Sequence, residues 1–111
     1  MIPGKKFSIG EKTYEVPPLT LGQLRRGALA TLKAHDELID KKDTYGAMLL
    51  RGDVIVMALK RNYPDLNEEE ITDNLDVVNT TDIFLFILGI SGFKPGEAQA
   101  AGEITAPTNG A

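Results

Sequence analysis

Cysteine is absent from the 111 residues, which removes disulfides, thiolate zinc sites and cysteine nucleophiles together and suits a reducing compartment. Histidine occurs once, as His35, so no second imidazole is available for a shared metal or an acid-base pair. Long apolar runs are missing too. The densest, Ile83-Phe84-Leu85-Phe86-Ile87-Leu88-Gly89-Ile90, would span about 12 Å as a helix against roughly 30 Å of bilayer hydrocarbon, so it is not a membrane span. No basic segment followed by an apolar one opens the chain, and a cytoplasmic location is the expectation. Positive charge is scarce in the second half: residues 62 to 111 hold Lys94 alone against nine acids, giving -8, whereas residues 1 to 61 hold eleven of the twelve basic residues against seven acids, giving +4. Such polarity would steer head-to-tail self-association or a charged partner, unless it only reflects solvated helix faces placed unevenly along the chain.

What is present suffices for one domain with a single modest core. Phe7-Ser8-Ile9-Gly10-Glu11-Lys12-Thr13-Tyr14-Glu15-Val16 alternates apolar and polar residues about a Gly-Glu pair. The pattern predicts a hairpin over 6–16 with Phe7 opposite Tyr14 and with Ile9 and Val16 on one greasy face. Pro17-Pro18 ends the ladder, and Thr20-Leu21-Gly22-Gln23 has capping-box spacing. A five-turn amphipathic helix over about 20–40 follows, its apolar side carried by Leu21, Leu24, Ala28, Leu32 and Ile39. Asp40 to Thr44 reads as a connection. A second helix over about 45–63 carries Met48, Leu49, Ile55, Val56, Leu59 and Tyr63, is weakened at Gly52, and stops before Pro64. Asn67-Glu68-Glu69-Glu70 caps a short helix over about 67–77, and Asn79-Thr80-Thr81-Asp82 opens a last one over about 80–91, ended by Gly92. The fold class expected is mainly α, three or four helices with a short N-terminal β-hairpin in residues 1–93. Residues 94–111, rich in Ala, Gly, Pro and Thr with Ile104 as the single large apolar side chain, read as a disordered tail.

No catalytic set emerges. His35 beside Asp36 and Glu37 reads as a solvated helix histidine, because adjacent helical residues point in different directions. Asp36, Asp40 and Asp43 lack the glycine and terminal glutamate of a calcium loop. The glycines form no phosphate cradle: Gly10 serves the hairpin, Gly22 and Gly27 sit in a helix, and Gly89 and Gly92 follow no strand. The expectation is a protein that is not an enzyme and takes no cofactor. Lys5, Lys6, Lys12, Arg25 and Arg26 offer a basic patch for nucleic acid, but overall acidity and the lack of a recognition helix weigh against that use.

Lys60-Arg61-Asn62-Tyr63-Pro64-Asp65-Leu66-Asn67-Glu68-Glu69-Glu70, a short apolar helix and then Gly89-Ile90-Ser91-Gly92 resemble the tail assembly chaperones of long-tailed bacteriophages. The opening, Phe7 to Val16 and then Pro17-Pro18-Leu19-Thr20-Leu21-Gly22-Gln23-Leu24, is similar to the hairpin-then-helix start of those proteins, and the matches cover most of residues 5 to 96. The resemblance implies a non-enzymatic partner of the tape measure protein in the cytoplasm of the bacterial host. Such a chaperone coats the tape measure, keeps it soluble, and leaves as tail tube protein polymerises. Many members are also made in a longer, frameshifted form, and the stretch from Lys94 is where such a junction would fall. The other readings are a structural adaptor retained in the phage particle and a small nucleic-acid-binding regulator.

A chaperone of this sort needs a reversible apolar surface, and the last helix is apolar on two sides. Either it lies central and is covered by its neighbours, or one side is free. The expected division places Ile83, Phe86, Ile87 and Ile90 in the core and Phe84, Leu85 and Leu88 on the partner face.

Overall fold

The computed structural model describes residues 1–93, and the tail expected from Lys94 onward lies outside the described residues. Strands β1 (Lys5–Ile9) and β2 (Lys12–Val16) pair antiparallel with Phe7 opposite Tyr14, in the expected register. Gly10 takes φ +67° at the first turn position. Ile9, Tyr14 and Val16 are buried together, so the greasy face of the hairpin lies on the helices. The protein is mainly helical, as expected.

The first helical run is interrupted where an unbroken helix was expected. Thr20 and Gln23 form the anticipated capping box at the start of α1 (Leu21–Gln23). A widened turn, Leu24–Ala28, then breaks at Gly27, whose φ of +140° is strained for any residue with a side chain. The Leu29 amide reaches back to the Leu24 carbonyl before α2 (Leu29–Asp40) resumes. After this break, Ala28, Leu32 and His35 are the core positions, whereas Leu21 and Ile39, expected inside, are exposed. A Schellman closure ends α2: Asp43 N–H donates to the Leu38 carbonyl and Lys42 N–H to that of Ile39, with Lys42 at φ +63°. Asp43 caps the next helix through the Gly46 amide, so α2 and α3 are joined by three residues.

Helix α3 (Thr44–Leu59) is the centre of the bundle and packs against α2, β2, α4 and α5. Val54, Ile55, Ala58 and Leu59 are fully buried, whereas the last helix combines the buried Ile83 and Ile87 with the exposed Val77, Val78, Leu85 and Ile90. Helix α4 (Glu68–Asp73) has the expected Asn67 cap but is shorter than expected. Helix α5 (Val77–Ile90) begins earlier than the expected Asn79-Thr80-Thr81-Asp82 start, because Asp76 and Asn79 form a reciprocal capping box one turn upstream. Gly92, at φ +94°, ends α5 as expected, with Phe93 N–H on the Leu88 carbonyl and Gly92 N–H on that of Gly89.

The turn after α3 holds the hairpin in place. Asn62 accepts from the Ile2 amide at 2.7 Å and donates to the carbonyls of Ile2 and Glu15 at 3.0 and 3.1 Å. Tyr63 Oη accepts from the Glu15 amide at 2.8 Å while its ring meets Tyr14 edge-on at 5.2 Å. Arg61 donates to the Pro18 carbonyl at 2.7 Å. Arg61-Asn62-Tyr63, part of the segment that carries the family resemblance, is thus a structural clamp.

Candidate partner-binding surface

The expected division of α5 is corrected. Ile83, Phe84, Ile87 and Leu88 are at most 6% exposed, Phe86 is half-buried, and Leu85 and Ile90 are exposed at 47% and 40%. At about 100° per residue the four buried side chains share an arc of about 140° that runs across both expected faces. The reason is that α5 meets two helices at once. Ile83 and Ile87 join the core with α3, while Phe84 and Leu88 turn toward α2, where the His35 ring lies 4.7 Å from that of Phe84. Phe86 meets the hairpin, edge-on to Phe7 at 5.5 Å. Of Phe84, Leu85 and Leu88, only Leu85 is on the surface, and a Phe84/Leu88 double substitution would cut into the core.

His35 is not solvated either. It is 6% exposed, and both ring nitrogens are engaged: Nδ1 lies 3.1 Å from Asp36 Oδ1, and Nε2 lies 2.9 Å from Arg51 Nε. Arg51 can only donate, so Nε2 is the unprotonated acceptor and Nδ1–H donates to Asp36. Arg51 also donates to Thr81 Oγ1 at 3.0 Å, with its guanidinium 5.4 Å from the Phe84 ring centre. Burial holds the imidazole below its ordinary pKa, opposed by the bond to Asp36 and assisted by the Arg51 charge. Asp36 Oδ2 has no partner among the described residues. This network ties α2, α3 and α5 together beneath a cavity of about 210 Å³ rimmed by Ile39 and Leu85. The sequence signal for it is the continuation of the Ala28-Leu32 stripe, whose next core position is His35.

A second, more apolar opening lies on the other side of α3. Tyr45, Met48, Leu49 and Gly52 share one helical face at spacings of three and four. Tyr45 is 76% exposed and Leu49 57%, although Leu49 was expected to face the core. Opposite stand Leu75, in the connection after α4, and Val77, at the start of α5. Together with Met48, Leu49 and Gly52 they line a groove of about 320 Å³. Val77 and Val78 are 63% and 71% exposed beside it.

Gly52 is the floor of this groove. A Cβ built there would touch nothing within 4 Å, so the protomer leaves room for a methyl group at this buried mid-helix position. Glycine in a helix interior costs about 1 kcal/mol relative to alanine. The adjoining Asp53 is exposed as a residue, but partial desolvation of its carboxyl, with the neighbouring Glu68, holds it above its usual range.

A further cleft, about 680 Å³ between β2 and the stretch after Tyr63, includes the Lys12–Glu70 ion pair at 3.0 Å in its lining. None of the strongly exposed large apolar side chains lines it. Of the expected basic patch, Lys12 is therefore engaged with α4, and Lys5 lies 5.2 Å from the Phe7 ring centre. Among the described residues no group of three or more His, Cys, Asp or Glu is placed to hold a metal, and no helix is long and apolar enough to cross a membrane. No family, curated protein or solved structure matches the chain.

Proposed function

We propose that the chain is a non-enzymatic tail assembly chaperone that holds the phage tape measure protein soluble until tail tube polymerises around it. The observation that carries the reading is the groove between α3 and the start of α5, open beside Tyr45, Leu49, Val77 and Val78, which are all strongly exposed. Apolar side chains on one helical face, with space between them, are what helix-in-groove recognition uses. The resemblance of Lys60 to Glu70 and of the hairpin opening to those chaperones supports the same reading. The contact surface moves from Phe84 and Leu88, which hold the fold, to Leu49 and Val77.

Co-expression with the tape measure protein of the same phage tests this. The tape measure should stay soluble and co-purify with the wild-type chain, and a Leu49→Asp/Val77→Asp variant with an unchanged circular dichroism spectrum should lose it. Mass spectrometry of purified virions should find the chain absent. A client that remains insoluble beside wild-type protein, or a chain present in virions at fixed copy number, would contradict the proposal.

A further inference from the structure

The α4 and α5 side of the groove belongs to an acidic stretch of the chain. Between Asn62 and Phe93 the chain carries Asp65, Glu68, Glu69, Glu70, Asp73, Asp76 and Asp82 and no Lys, Arg or His. Glu70 and Glu68 are paired with Lys12 and Lys60, while Asp73 and Asp76, on either side of the groove residue Leu75, make no ion pair among the described residues. Asp53, next to Gly52, is exposed. The nearest cation on the α3 wall, Arg51, is turned to His35 and Thr81. Asp76 lines the opening, and Asp53 and Asp73 adjoin the lining residues Gly52 and Thr72 in the chain, so the groove is mostly apolar with its carboxylates on one side.

We infer that the groove takes a cationic amphipathic helix of another chain. The helix lies along the mouth of the groove, inserts a large apolar side chain between Leu49 and Val77 toward the buried Gly52, and places Lys or Arg against Asp76 and the neighbouring Asp53 and Asp73. Gly52 supplies the depth, because it carries no side chain. A glycine weakens the interior of its own helix, and no contact within the protomer requires one there. The acidic edge selects the partner and speeds encounter more than it adds affinity, because exposed carboxylates are screened by salt. This inference rests on the reading that the groove holds a client, and it names that client's chemistry.

The test uses the full chain and two designed helical peptides with the same leucine stripe, one flanked by lysine and one by glutamate, titrated at low and at physiological salt. The lysine peptide should bind at least about tenfold more tightly at low salt, and the gap should shrink as salt rises. Gly52→Leu fills the floor and should abolish binding of the lysine peptide with an unchanged circular dichroism spectrum. Gly52→Ala separates helix strengthening from filling and should retain most of the binding. Asp53→Asn/Asp73→Asn should reduce the preference for lysine while leaving the leucine requirement. Equal binding of the two peptides, or undiminished binding to Gly52→Leu, would overturn the inference. So would sedimentation showing that the wild-type chain self-associates and that Gly52→Leu makes it monomeric, since the occupant would then be a second copy. If these titrations come out as expected but the tape measure is not retained, the charge selectivity stands and the chaperone reading alone fails.

Discussion

The two sides of α3 meet the same problem, how to cover apolar surface near α5, and solve it differently. Toward α2 the surface is cross-linked beneath a smaller cavity rimmed by the exposed Ile39 and Leu85: Phe84 and Leu88 are buried, and Arg51 bridges His35 on α2 to Thr81 on α5. Toward α4 it is left open, with Leu49 and Val77 exposed across a groove floored by glycine. Hydrophobicity alone does not distinguish them, since both sides carry leucine and β-branched residues. The difference lies in polar cross-links. A long side chain with a fixed set of donors can span three helices, whereas the polar residues that line the open side, Thr72, Asp76 and Thr80, are short.

The contrast breaks first under core truncation. Phe84→Ser should cost about 3–5 kcal/mol, read as a lower urea midpoint, because it opens a cavity beside His35 and α3. Arg51→Leu should cost about 1–3 kcal/mol by leaving His35 Nε2 without a donor. The same network predicts a pH dependence. His35 has its pKa lowered on folding, so the unfolded chain binds more protons. Stability should therefore be fully present above the unfolded value of about 6.5 and be lost as pH falls below it. Thermal unfolding between pH 7.5 and 5.5 reads this slope, and His35→Gln should flatten it. On the open side the sign reverses: Gly52→Ala should raise stability by about 0.5–1 kcal/mol. Leu49→Ser should change it by no more than about 0.5 kcal/mol, since little of that side chain is covered. A large loss at Leu49 would mean that the open side belongs to the core.

Alternation and capping residues made the hairpin, its register and three helix starts or stops legible, because turns and caps are local chemistry. Thr20 with Gln23, Asn67, and Gly92 all act as their types suggest. The division of α5 was not legible. Eight nearly continuous apolar residues carry no polar marker of which arc is covered, and the choice depends on where α2 crosses, which is set by the break at Gly27. That break was hidden for a similar reason, since a glycine in a helical pattern is compatible with both a weak helix and a kink. His35 was misread from its type, although its place on the Ala28-Leu32 stripe pointed inward. The open groove was obscured because Leu49 fits a core stripe, and only the shortness of α4 leaves it uncovered.

The clamp at Arg61, Asn62 and Tyr63 also orders events in time. The strands precede the helices in the chain, yet the side chains that fasten the hairpin segment to the body of the protein lie 43 to 60 positions further on. An isolated two-stranded ribbon is at best marginal in water, so the hairpin segment stays unfastened throughout synthesis of α1, α2 and α3. Its docking marks the point at which the nascent chain closes its end of the core.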